Sequence, residues 1–90
     1  MLKITLQESE QAVEIVLEGR VAGPWVAELS RVWVETAPRL ASRKLTLDLR
    51  NITYADSGGK QLLKTIYDPT RAKLLSSSLW TQYLAEEISA

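Results

Sequence analysis

The stretch that decides the fold is Asn51–Tyr67, "NITYADSGGKQLLKTIY". It reads as the end of a strand, a tight glycine turn and the first turns of a helix. Leu62, Leu63, Ile66 and Tyr67 recur at helical spacing and form one stripe, which is expected to end at Asp68-Pro69. At the hinge between strand and helix stands Asp56-Ser57-Gly58-Gly59-Lys60. An Asp-Ser pair in that place can cap the helix, receive a phosphate, bind one, or belong to a catalytic site.

Working outward from the hinge, "KLTLDLR" (Lys44 to Arg50) alternates, with Leu45, Leu47 and Leu49 on one side and Thr46, Asp48 and Arg50 on the other. "LKITLQ" (Leu2 to Gln7) and "AVEIVLEG" (Ala12 to Gly19) alternate in the same way, and the polar run Glu8 to Gln11 between them suits a hairpin. Between these strands and Lys44, "AGPWVAELSRVWVETA" reads as a helix. Gly23-Pro24 suits its first turn, Trp25, Val26, Leu29, Val32 and Trp33 share a face, and Pro38 is expected to stop it. "AKLLSS" (Ala72 to Ser77) reads as a short fourth strand. Ser77 or Ser78 then caps a last helix with Leu79, Trp80, Tyr83, Leu84 and Ile88 on one face.

The expected order is therefore β-β-α-β-α-β-α. Helical crossovers after the second and third strands imply parallel pairing there, with right-handed connections. Strands covered on both faces are apolar on both sides, whereas these alternate cleanly. The expectation is an α/β fold of two-layer, α+β-like character. It has a four-stranded mixed sheet, helices largely on one face and a comparatively wet opposite face.

Composition narrows the function. Ninety residues make one small domain. Eleven acids balance eleven bases, so no overall field recruits nucleic acid or an anionic membrane. No stretch has the length of a spanning helix and no signal peptide is evident, so a cytoplasmic location is the expected default. The chain has neither cysteine nor histidine, which removes disulfides, Ser-His and Cys-His catalysis and the ordinary zinc site. Recognition is favoured over catalysis; no enzyme activity and no cofactor are expected.

Four readings compete at the hinge. Helix capping by Asp56 or Ser57 is the plainest. A phosphate-binding P-loop fails on spacing, since it needs glycine at Tyr54 and a hydroxyl at Gln61. A nucleophilic serine fails because position 55 is alanine and no histidine exists to activate Ser57. A phosphate on Ser57 would meet the free N–H groups and positive dipole end of the helix. Lys60 is unusual in a first turn, where the dipole disfavours a cation; it reads first as a solvated surface lysine and would be better placed if an anion sometimes occupied Ser57. Lys60 and Lys64 share a helix face and suit an acidic partner or a solvated surface. Trp25, Trp33 and Trp80 read as core or rim packing, and Val34 lies off its helix's main stripe.

"LTLDLRNITYADSGGKQLL" resembles the signature of the STAS domain, in which an apolar strand ends in Asp-Leu and Asp-Ser-x-Gly opens a helix. The likeness covers nearly the whole chain in element order. It implies a non-enzymatic protein–protein interaction module. In the anti-sigma factor antagonist branch the serine matching Ser57 is phosphorylated by an anti-sigma kinase, and the phosphorylated form releases its partner. Asp56 would hold the loop, and Gly58, Gly59, Lys60 and Lys64 would belong to the partner surface. Three positions depart from the family pattern. Gly19-Arg20-Val21-Ala22 lacks the carboxylate usual after the second strand, a common second serine is Gly58, and the apolar residue after the hinge glycine is Lys60. Gly58-Gly59 also resembles the hinge of the small regulatory subunits of lipid-transport ABC ATPases, which gives a constitutive reading in which Ser57 is structural. A module binding a nucleotide or other anion is a third reading. The edge strand and the polar sheet face leave room for a homodimer.

Overall fold

The computed structural model describes residues 1–90. Its elements are β1 (Leu2–Glu8), β2 (Ala12–Val21), α1 (Pro24–Leu40), β3 (Lys44–Ala55), α2 (Ser57–Thr70), β4 (Lys73–Leu75) and α3 (Leu79–Ser89). They form a four-stranded mixed sheet in the order β1-β2-β3-β4. The β1–β2 hairpin is antiparallel, and β2–β3 and β3–β4 are parallel, as the two helical crossovers require.

The alternation read from the strands sets which face is covered. Val13, Ile15 and Leu17 of β2 and Leu45, Leu47 and Leu49 of β3 are buried in one cluster with Leu29 of α1, Leu63 and Ile66 of α2, and Leu84 and Ile88 of α3. All three helices feed the same cluster, so they lie on one face of the sheet. Burying each such side chain stabilises the fold by roughly 1.5–3 kcal/mol, which makes this layer the main source of stability. The other face carries the cross-strand pair Lys3–Glu18 together with Gln7, Glu14 and Thr46.

Asp48 departs from the expected wet face. It points away from the helices yet is only 3% exposed, because Arg50 folds back over it. Asp48 Oδ1 accepts from the Arg50 backbone N–H (3.1 Å) and Nε (2.9 Å), and Oδ2 accepts from the far guanidinium nitrogen at 2.8 Å.

Several boundaries also differ from expectation. β3 does not end at Arg50 but runs to Ala55, pairing with the end of β2 across two register shifts that absorb its extra length. Neither proline stops its helix. Pro38 and Pro69 both sit in a last turn, and α1 and α2 close two and one residues later, at Leu40 and Thr70. A proline there forfeits only one backbone bond, and the carbonyls it leaves unpaired belong to the exposed residues Val34 and Thr65. β4 is only three residues long.

The last helix is capped by Ser78, whose hydroxyl accepts from Thr81 N–H while the Thr81 hydroxyl accepts from Ser78 N–H, a reciprocal capping box. Trp80 Nε1 donates to Ile52 O at 2.9 Å and pins α3 to β3. That anchor sets the rotation of α3. Leu84, Ile88 and Thr81 turn inward, while Leu79 and Tyr83, expected on the inner face, are exposed. Of the other tryptophans, Trp33 lies at the rim of the core, whereas Trp25 is 37% exposed.

Candidate functional site

The hinge is a joint, not a loop. Ala55 ends β3, Ser57 begins α2, and Asp56 alone stands between them in extended conformation as the N-cap of α2. Its Oδ1 accepts from Gly59 N–H at 2.7 Å, satisfying a free donor of the first turn. Oδ2 reaches across to accept from Gly23 N–H at 3.0 Å, and Asp56 N–H donates to Val21 O at 3.3 Å. One carboxylate thus ties the β3–α2 joint to the β2–α1 joint. The Gly23 and Gly59 N–H groups hold the Asp56 carboxyl below the usual carboxylate range, so it is ionised near neutral pH. Gly23 has φ 58°, a positive value that a glycine adopts without strain.

The expected glycine turn is instead the first turn of α2. Gly59 is buried against the end of β2, where an added Cβ would lie 2.0 Å from Val21 O. Gly58 is exposed, and a Cβ added there would meet only the Asp56 carboxylate, at 3.6 Å. The two glycines have different reasons to be there, and only Gly59 is required by packing.

Ser57 is exposed at the first helical position and is not the cap, a role that belongs to Asp56. Lys60 and Lys64 lie one and two turns further along α2. Lys60 Nζ donates to Glu87 of α3 at 3.2 Å and sits 5.8 Å from the Tyr83 ring centre. Lys64 Nζ donates to the Ala90 backbone oxygen at 2.6 Å and lies 3.8 Å from Asp68. Glu87 is held below the usual carboxylate range by the Tyr83 hydroxyl first and Lys60 second, and the same contact raises the Tyr83 hydroxyl. Lys60 therefore has a fixed anion in Glu87, which answers the oddity of a lysine near a helix N-terminus.

All six residues picked out from the sequence come together at one end of α2. Ser57, Lys60, Gln61, Lys64 and Glu87 line a shallow groove between α2 and α3. The sequence reading missed Glu87, and it missed Tyr83 as a surface residue because helical spacing placed it in the core. It also missed Arg20 beyond its missing carboxylate. The Arg20 guanidinium stacks 4.6 Å from the Tyr54 ring centre, beside the Asp56 joint.

The larger groove lies at the opposite end, lined by Arg43, Lys44, Arg71 and Lys73 among others. Two of them are tied to helix ends: the Arg43 guanidinium donates to Leu40 O and Glu8, and Arg71, whose backbone N–H donates to Tyr67 O, lays its guanidinium 5.4 Å from the Tyr67 ring centre. Positive charge at helix C-termini has that structural reason already. No three or more Asp and Glu gather where they could hold a metal ion.

No family model matches the chain, and no curated protein matches it. No helix is long and apolar enough to cross a membrane.

Proposed function

We propose that this chain is a non-enzymatic protein–protein interaction module of the STAS kind, whose working surface is the Ser57 end of α2 with the adjoining face of α3. The observation that carries this reading is the division of labour at the joint. Asp56 is consumed in holding two joints together, which leaves Ser57 exposed, free of a capping role and set at a helix N-terminus. A phosphate there would bring roughly −1.5 to −2 charges beside the free N–H groups of α2 and next to Lys60. It would compete with Glu87 for Lys60 and so alter the α2–α3 groove that a partner reads. An anti-sigma kinase-like protein fits as the partner of such a switch.

The test uses partner captured from native extract. Ser57→Asp should weaken capture about tenfold or more, equivalent to at least about 1.4 kcal/mol. Ser57→Ala should bind like the parent and unfold within about 0.5 kcal/mol of it, as a surface change away from the cap should. Equal capture by both variants would remove the switch.

A constitutive reading, as a regulatory subunit of a transport ATPase, is favoured by one observation: Lys60 is already engaged by Glu87, so no unpaired cation waits at Ser57 for an anion. The intact mass of protein from native cells separates the two. A fraction carrying one phosphate on Ser57 supports the switch, and a single unmodified species with an ATPase bound supports the subunit. Protection against thermal unfolding by a nucleotide or by phosphate would support the anion-binding reading instead.

A further inference from the structure

The free edge of β1 is long and regular, and its two charged side chains are already paired within the chain. Arg20 N–H donates to Met1 O and Ser9 N–H donates to Ala12 O, which fixes the phase of the antiparallel β1–β2 ladder. In that phase Lys3, Thr5 and Gln7 direct their backbone groups at β2. Leu2, Ile4, Leu6 and Glu8 direct theirs out of the sheet. Edge strands are ordinarily blunted by shortness, proline, a bulge, charged side chains or a covering element. β4, the other edge, is only three residues long. β1 runs seven residues in unbroken register with β2, contains no proline, and directs its only lysine at the open face to pair with Glu18. Its one acid on the helix side, Glu8, is neutralised by Arg39 and Arg43.

We propose that β1 pairs with β1 of a second copy of this chain, antiparallel about a two-fold axis at Thr5, giving one continuous eight-stranded sheet. The proposal is independent of the reading of Ser57. The strand is complementary to itself in this register. Ile4 faces the partner's Leu6 on the helix side, Thr5 faces its own copy, Lys3 faces the partner's Gln7, and Leu2 faces the partner's Glu8. No like charges meet, and each of the four outward-directed residues finds an outward-directed partner. Centring on Ile4 instead would leave Glu8 without one.

Helix α1 agrees. Trp25, Val32 and Arg39 are seven residues apart and so lie along one stripe of α1. Arg39 reaches Glu8, so the Arg39 end of that stripe lies beside the end of β1. Trp25 is partly exposed at the stripe's other end. The two-fold axis brings the Trp25 end of one copy to the Arg39 end of the other, where indole and guanidinium are complementary.

The test is a charge exchange at Thr5, which faces the open side and leaves the core untouched. The parent should sediment at twice the 10.1 kDa chain mass at submillimolar concentration. Thr5→Lys and Thr5→Glu should each sediment as monomers, since like charges would then stand directly opposite. Their equimolar mixture should recover the dimer. A monomeric parent, or variants that dimerise like the parent, would overturn the proposal. Amide exchange on the parent needs no variant. Protection at Leu2, Ile4, Leu6 and Glu8 should rise with concentration, and a doubled mass without that protection would place the interface elsewhere and reject this one.

Discussion

Gly59→Ala should destabilise the protein by about 1–2 kcal/mol or more, while Gly58→Ala one residue earlier should stabilise it by about 0.5–1 kcal/mol. In a helix alanine is worth up to about 1 kcal/mol over glycine, and that gain applies at both positions. At Gly58 nothing opposes it, because the added Cβ meets only the Asp56 carboxylate at ordinary contact distance. At Gly59 the same atom would fall 2.0 Å from the backbone oxygen of Val21. A backbone oxygen cannot swing aside as a side chain can, so α2 must move off β2, and overpacking of this kind costs about 1–3 kcal/mol or more. The movement would also strain the Asp56 bonds to Gly59 N–H and from Asp56 N–H to Val21 O. Chemical denaturation of the two variants beside the parent measures both. Equal effects at the two glycines would show that α2 does not depend on close approach to β2.

Arg50→Ala should cost about 1–2 kcal/mol near neutral pH, and it should flatten the acid limb of the stability curve. Removing one partner of a fully buried pair costs about 3–5 kcal/mol, because a charge is left in a dry site. Asp48 is nearly inaccessible, but its cover is the half-exposed Arg50 side chain itself. Deleting the arginine admits water, so the smaller figure is expected. The Arg50 guanidinium bonds, followed by its backbone N–H, hold the Asp48 carboxyl below the ordinary range, although its burial works in the opposite direction. A carboxyl whose folded-state pKa is lowered stabilises the fold above its unfolded value, about 3.9, and that contribution is lost as pH falls through the folded value. The parent should therefore lose stability more steeply below about pH 4 than Arg50→Ala does. Arg50→Lys keeps the charge without the planar fork and should fall between them. Parallel acid limbs for parent and Arg50→Ala would show that Asp48 gains nothing from Arg50.

Much of the fold was legible because periodicity is local. The alternation in Val13, Ile15, Leu17 and in Leu45, Leu47, Leu49 identified both strands and their buried side, and the three helical stripes followed from spacing. Misreadings arose where a local rule met a neighbour distant in the chain. Pro38 and Pro69 look like stops, yet each lies in a turn that was ending anyway and gives up a single bond at the surface. Tyr83 fits the inner stripe of α3 by spacing, but the Trp80 bond to Ile52 rotates it outward, where it meets Glu87 and Lys60. Asp48 obeys the outward alternation and is buried regardless, because a side chain two residues along lies over it.

The same division holds at the candidate site. Residue order alone determined that Asp56 to Lys60 open a helix after a strand, that Lys64 follows on the same face, and that no histidine or cysteine exists to make Ser57 a catalyst. Those are properties of neighbouring residues and of composition. Tertiary structure decided which residue caps, which glycine is required and which charge holds Lys60. Each answer depends on an atom brought in from elsewhere: the N–H of Gly23, the carbonyl of Val21 and the carboxylate of Glu87. A chain read in order does not show those distances, because they exist only once two joints and two helices have been packed onto one face of the sheet.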